Sequence, residues 1–152
     1  MTGARFKRVE RCTSAAHVGW LELRDALWPQ PREVQLAEMA SLAAEPGRFA
    51  AFVAYADSGE ALGLAEAAIR TDYVNGAQSS PVGFLEGLYV VPHARRKGVA
   101  RALVVEVGHW ARDCGCSELA SDAALANTAS HAVHRALGFE ETERVVFFRR
   151  RL

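Results

Sequence analysis

Apolar residues recur along this chain with two different periods, and the alternation between them divides it into helices and strands. Arg5 to Glu10 reads as a short first strand. Thr13 or Ser14 then offers a helix cap, and Val18, Leu21 and Trp28 recur at helical intervals until Pro29 and Pro31 end the run. A second helix is predicted from Glu33 to Ala44, with Leu36, Met39, Leu42 and Ala43 on one face and Pro46-Gly47 as its stop. The texture then becomes strand-like. Phe49 to Ala56 and Ala61 to Arg70 flank the turn-forming Asp57 to Glu60 and predict an antiparallel hairpin.

Thr71 to Pro81 contains Asn75-Gly76 and Ser79-Ser80-Pro81 without an apolar period, which predicts a surface loop of a length that often carries function. Phe84 to Val91 is nearly continuous apolar sequence, suited to a central strand and halted by Pro92. Glu86 is the anomaly within it. Val99, Leu103, Val107 and Trp110 repeat at helical spacing from Gly98 to Asp113, and Cys114-Gly115 supplies a stop. Ser117 to Ser121 predicts a further strand, Asn127 to Leu137 a helix closed by Gly138, and Arg144 to Arg150 a last strand. The order β, α, α, β, β, β, α, β, α, β describes one mixed α/β domain over residues 1–152.

Composition narrows the partners. Lysine plus arginine and aspartate plus glutamate number 18 each, so no net field draws the chain to nucleic acid or an anionic membrane. The three cysteines, Cys12, Cys114 and Cys116, show neither CxxC nor zinc-ligand spacing, which implies reduced thiols and no metal site. Met1 to Val9 lacks the apolar core of a signal peptide, and no run approaches the roughly 20 apolar residues of a membrane span. A cytoplasmic protein is expected.

Candidate chemistry begins at Arg95-Arg96-Lys97-Gly98, where three cations meet a glycine that opens a helix. A helix N-terminus presents unpaired N–H groups and about half a positive charge, and adjacent cations suit it to an anionic phosphate. The Walker and GxGxxG patterns are both absent, so a different pyrophosphate carrier is implied. Arg95-x-x-Gly98-x-Ala100, placed after an apolar strand ending in Val90-Val91-Pro92, resembles the acetyl-CoA loop (Q/R)xxGx(G/A) of GNAT N-acetyltransferases. Asn127, Ala129, Ala132 and Leu137-Gly138-Phe139 resemble that family's second signature.

The resemblance implies the GNAT fold, a mostly antiparallel central sheet with splayed central parallel strands and flanking helices. It also implies acetyl-CoA as cosubstrate. Its pantetheine would run along Leu88, Tyr89 and Val90, and its diphosphate would meet Arg96, Lys97, Gly98, Val99, Ala100 and Arg101, with Asn127 opposite. The backbone N–H of Val90 takes the position that holds the thioester carbonyl and stabilises its oxyanion. Glu86 lies four residues before Val90 and, by strand parity, on its face. A carboxylate there acts as a base directly or through water, holds an ammonium, or is tied in an ion pair with an arginine such as Arg70. The family's usual tyrosine, which protonates the departing thiolate, is replaced by His134, which either takes over that proton, bonds the sulfur or faces solvent.

Further stretches resemble bacterial chromosomal aminoglycoside 6′-N-acetyltransferases: Leu27-Trp28-Pro29, Asp72 to Gly76, Ser79 to Pro81 with Phe84 to Gly87, Ala120-Ser121-Asp122, and Leu137 to Val145. That group implies direct attack in a ternary complex and aminoglycoside contacts at Trp28, Tyr73, Glu86, Asp122 and Glu143. It also implies a homodimer in which the C-terminal region of one subunit helps complete the other's pocket; the apolar stretch Val145 to Phe148 offers an edge for it. Two alternatives fit the same residues, a GNAT acting on another small amine or polyamine, and a non-catalytic acyl-CoA sensor.

Overall fold

The structure is a computed structural model and describes residues 4–152; the first three residues of the Met1 to Val9 stretch lie outside it. Five strands, β1 (Phe6–Arg11), β2 (Phe49–Ala56), β3 (Ala61–Arg70), β4 (Val82–Val90) and β5 (Leu119–Ser121), form one sheet in that spatial order. The first three pairings are antiparallel and β4 pairs with β5 in parallel. The helices are α1 (Trp20–Leu27), α2 (Arg32–Ala43), α3 (Val99–Asp113) and α4 (Thr128–Ala136).

Strand pleating sorts the apolar side chains onto two faces. Ala50, Phe52 and Ala54 of β2 pack with Leu103, Val107 and Trp110 of α3, whereas Ala51, Val53 and Tyr55 pack with Trp20 and Leu23 of α1 and Met39 of α2. The sheet is therefore covered on both sides, which explains why β2 and the first part of β3 are almost entirely buried and read as continuous apolar runs.

The β4–β5 ladder is short. It joins Gly83, Phe84 and Leu85 to Leu119, Ala120 and Ser121 and stops there, so Glu86 to Val90 have no partner on the β5 side. This is the splay that the resemblance implied.

Three expectations are corrected. The first helix is capped by neither Thr13 nor Ser14: it starts after Gly19, whose φ of 86° ends a series of turns, and Val18 is 72% exposed. Ser14 instead accepts a local bond from the Ala16 N–H, an alternative that hydroxyl residues offer the backbone outside helices. The predicted last strand, Arg144 to Arg150, is no strand, and Val146, Phe147 and Phe148 are exposed. Its β propensity needs an edge to pair with, and among the described residues it pairs with none. Third, Glu86 and Val90 do not share a face. Leu85 pairs with Ala67 and Gly87 with Glu66, so Glu86 is the extra residue of a β-bulge, and the bulge reverses the parity beyond it.

Candidate active site

The basic loop is built by two unusual backbone angles. After β4, Pro92–Ala94 form one 3-10 turn; Arg96 then takes φ 62° and Gly98 φ 83°, and α3 begins at Val99. Left-handed geometry is natural for glycine and turns successive N–H groups toward one concavity, an arrangement that binds anions. Gly98 caps α3 without a side-chain bond, and a Cβ there would meet nothing within 4 Å, so the helix end faces open space. Arg96 and Lys97 are exposed beside it. Arg95 is tied back, its Nε donating to the Val90 carbonyl at 2.9 Å.

Other predicted cofactor residues have structural partners. Val99 is buried under the sheet, Ala100 is half-buried, and Arg101 donates to the carbonyl of Ala136 at 2.9 Å, joining α3 to the end of α4. Asn127 is the N-cap of α4, its side chain accepting from the Ser130 N–H at 3.1 Å. Leu88 and Val90 pack toward α3, while Tyr89 packs toward α1 and α2.

The residues predicted to meet an acceptor fall into two adjoining clefts. One, of about 890 Å3, lies where β4 and β5 part and includes Tyr73, Asp122, His134 and Glu143. The other, of about 430 Å3, lies on the α1 side of the sheet and includes Trp28, Glu86 and Glu66. Arg70 borders the first and Glu86 the second, and they meet at the seam, Arg70 Nη2 donating to Glu86 Oε1 at 2.7 Å. The ion pair considered for Glu86 is thus present. Both side chains are more than one-third exposed, so the pair adds only about 0–1 kcal/mol to stability and leaves Glu86 accessible to an ammonium. Asp122 and Tyr73 are exposed and Trp28 half-buried.

Sequence reasoning missed Glu66, which is 5% exposed in β3 directly opposite Gly87. Burial pushes its carboxyl up from the ordinary value, while the bond from Trp20 and the charge of Arg24 pull it down. The signal was available, since Glu66 interrupts an apolar strand just as Glu86 does. Ser121 was missed as well; its hydroxyl lies 2.8 Å from Nε2 of His134.

A splayed pair of parallel strands, an amide-lined basic loop at the mouth of the splay and an acidic cleft beside it define an acyl-CoA-dependent transferase. The model of the acetyltransferase (GNAT) family matches residues 20–139, and the chain belongs to that family. It is 51% identical over 133 residues to an aminoglycoside N(6′)-acetyltransferase type 1 of Acinetobacter baumannii, covering 88% of this chain and 90% of the relative. Among solved structures, an aminoglycoside 6′-N-acetyltransferase from Acinetobacter baumannii matches with a TM-score of 0.90 at 46% identity, covering 95% of this chain and 98% of that one. A 6′-N-acetyltransferase in complex with the bisubstrate analogue CoA-S-monomethyl-acetylneamine matches with a TM-score of 0.86 at 46% identity, covering 96% and 100%.

Proposed function

We propose that this chain transfers the acetyl group of acetyl-CoA to the 6′-amino group of aminoglycoside antibiotics, by direct attack within a ternary complex, and so confers aminoglycoside resistance. The observation that carries the reading is the pair of adjoining clefts lined by Glu66, Glu86, Asp122 and Glu143 on a chain about half identical to enzymes of that name. In this mechanism Arg96, Lys97 and the amides around Gly98 hold the diphosphate, and the pantetheine takes the unpaired edge of Glu86 to Val90. The Val90 N–H stabilises the oxyanion that forms when the amine attacks the thioester carbon. The C–S bond then breaks. Glu86 receives the amine's proton, directly or through water, and His134 delivers a proton to the leaving thiolate. Trp28 and Tyr73 offer flat surfaces to the sugar rings, while Glu86, Asp122 and Glu143 pair with their ammonium groups.

The enzyme acts in the cytoplasm, where acetyl-CoA is supplied; no helix of the described residues is long and apolar enough to cross a membrane. It works as a homodimer, a reading supported by the exposed apolar stretch at its C-terminal end. The functional test is thiol release from acetyl-CoA with tobramycin, kanamycin and spermidine, followed by mapping of the acetylated nitrogen. Efficient turnover of the aminoglycosides with acetylation at the 6′ position is expected. A higher kcat/KM for spermidine would overturn the assignment in favour of a polyamine acetyltransferase.

A further inference from the structure

Beneath the acceptor cleft lies a buried polar network that no step of the proposed reaction uses. Oε1 of Glu66 accepts from Trp20 Nε1 and from Arg24 Nε, each at 2.8 Å. Arg24 is 7% exposed, and its Nη1 donates onward to Gln35 Oε1 and to Glu38 Oε2, the latter at 2.7 Å. Gln35 is fully buried, and its Nε2 donates to the carbonyl of Trp28 at 2.7 Å. The chain of bonds thus runs from the sheet through α1 and α2 to the residue that ends α1.

Its last member faces the site. The Trp28 ring fills the space above Gly87 where any other residue would carry its Cβ, and Leu27 Cδ2 would stand 2.9 Å from such an atom. Gly87 follows the bulged Glu86, and the Arg24 guanidinium lies 5.3 Å from the ring centroid of Trp28. Apolar side chains would fasten α1 to the sheet without the desolvation cost of an ion pair. They would not supply direction, because hydrophobic contact is indifferent to small slides, whereas forked charge-assisted bonds fix one geometry.

We infer that Arg24, Glu66 and Gln35 are positioning residues for acceptor binding: they hold the Trp28 ring over Gly87 and so set the wall against which the aminoglycoside packs. The inference rests on the acceptor reading given above. Arg24→Lys keeps the charge but loses the fork, Gln35→Met keeps the length but loses the bond to the Trp28 carbonyl, and Gly87→Ala displaces the ring from the other side. In each variant that retains a cooperative thermal transition, the aminoglycoside KM should rise by about tenfold, the scale of loosening one aromatic anchor; in Arg24→Lys and Gln35→Met, which lie off the pantetheine edge, the acetyl-CoA KM and kcat should stay within about twofold. In 15N–1H spectra the indole resonance of Trp28, assigned with Trp28→Phe, should move in all three while that of Trp110 does not. An unmoved Trp28 resonance in Gln35→Met and Gly87→Ala, or equal rises in both KM values of Arg24→Lys and Gln35→Met, would overturn the inference. Should the parent enzyme acetylate no aminoglycoside, the functional reading fails by itself, and the indole resonances still decide whether the network positions Trp28.

Discussion

Ser121 and His134 meet at the point where β4 and β5 part, with the serine hydroxyl 2.8 Å from Nε2 of the imidazole. Nδ1 lies 2.7 Å from the Ser130 carbonyl, which only accepts, so Nδ1 carries a proton and Nε2 of the neutral ring accepts from Ser121. When Nε2 gains a proton the bond reverses, and the Ser121 hydroxyl turns to the Leu85 carbonyl 3.3 Å away. The pair accommodates both hydrogen-bonding arrangements without moving a heavy atom, as the proposed proton donor must. His134→Phe should lower kcat by about tenfold to a hundredfold, within the usual reach of general acid catalysis, with little change in the acetyl-CoA KM. His134→Tyr, which restores the residue usual in the family, should retain most of kcat. Parent-like turnover in His134→Phe would leave the ring as packing against Phe139, whose centroid is 5.3 Å away.

The Gly98 loop makes a separable prediction. Replacing both Arg96 and Lys97 by alanine removes two exposed cations beside a helix end whose amides remain in place. Each charge-assisted contact to a phosphate is worth more than a neutral bond, so the acetyl-CoA KM should rise by about tenfold or more. The aminoglycoside KM should hold. Because these contacts face solvent, added salt should raise the parent's acetyl-CoA KM and hardly affect the double variant. An unchanged KM would refute the diphosphate contact.

Glu86 can be separated from its structural role by comparing stability with activity. Its pair with Arg70 is too exposed to matter much for folding, so Glu86→Gln should change the unfolding free energy by less than about 1 kcal/mol. Loss of the proton acceptor and ammonium partner should nevertheless cut kcat/KM for the aminoglycoside by about a hundredfold. Urea titration and steady-state kinetics on one preparation decide the matter. Equal and small effects on both would make Glu86 a partner of Arg70 and nothing more.

Most of the fold was legible because its elements are marked by local chemistry. Apolar runs bounded by Asp57 to Glu60 yield β2 and β3 with their observed ends, and Gly98 and Gly138 bracket α3 and α4 as their positive φ angles require. Of the candidate site, the backbone of the Gly98 loop was legible, since a glycine after three cations marks the turn that opens α3. Readings failed where one residue's environment depends on a distant one. The bulge at Glu86 arises from pairing with β3, which no pattern within β4 announces. The buried face of α2 includes Gln35, a polar residue that belongs there only because Arg24 and Trp28 supply its partners.

Glu66 predicts a dependence of stability on pH. Burial raises its carboxyl above the ordinary value of 4.5, so the folded chain holds that proton more tightly than the unfolded chain does. The contribution of this group to stability is therefore largest below 4.5 and is lost as pH rises through the raised value in the folded state. Glu66→Gln cannot ionise and should flatten the slope of unfolding free energy against pH in that window. Urea denaturation over a pH series above 4.5 measures it. A variant with the parent's slope would place the pH dependence elsewhere.

The C-terminal segment yields a prediction about assembly. Phe147 and Phe148 are 84% and 93% exposed, and neighbouring Val146 is 72% exposed, an apolar stretch of strand-forming residues that pairs with no strand of the described residues. Thr142, Glu143 and Phe147 also border the larger cleft, so whatever fixes this segment also shapes the acceptor site. A second copy offers the missing edge, and pairing with it would convert exposed phenylalanines into interface. The parent should therefore sediment as a dimer, while Phe147→Asp combined with Phe148→Asp should sediment as a monomer because a carboxylate is costly in an apolar contact. Aminoglycoside turnover should fall with dimer content, and acetyl-CoA binding should persist, because no residue of the Gly98 loop borders that cleft. A monomeric parent of full activity would refute both the dimer and its part in the site.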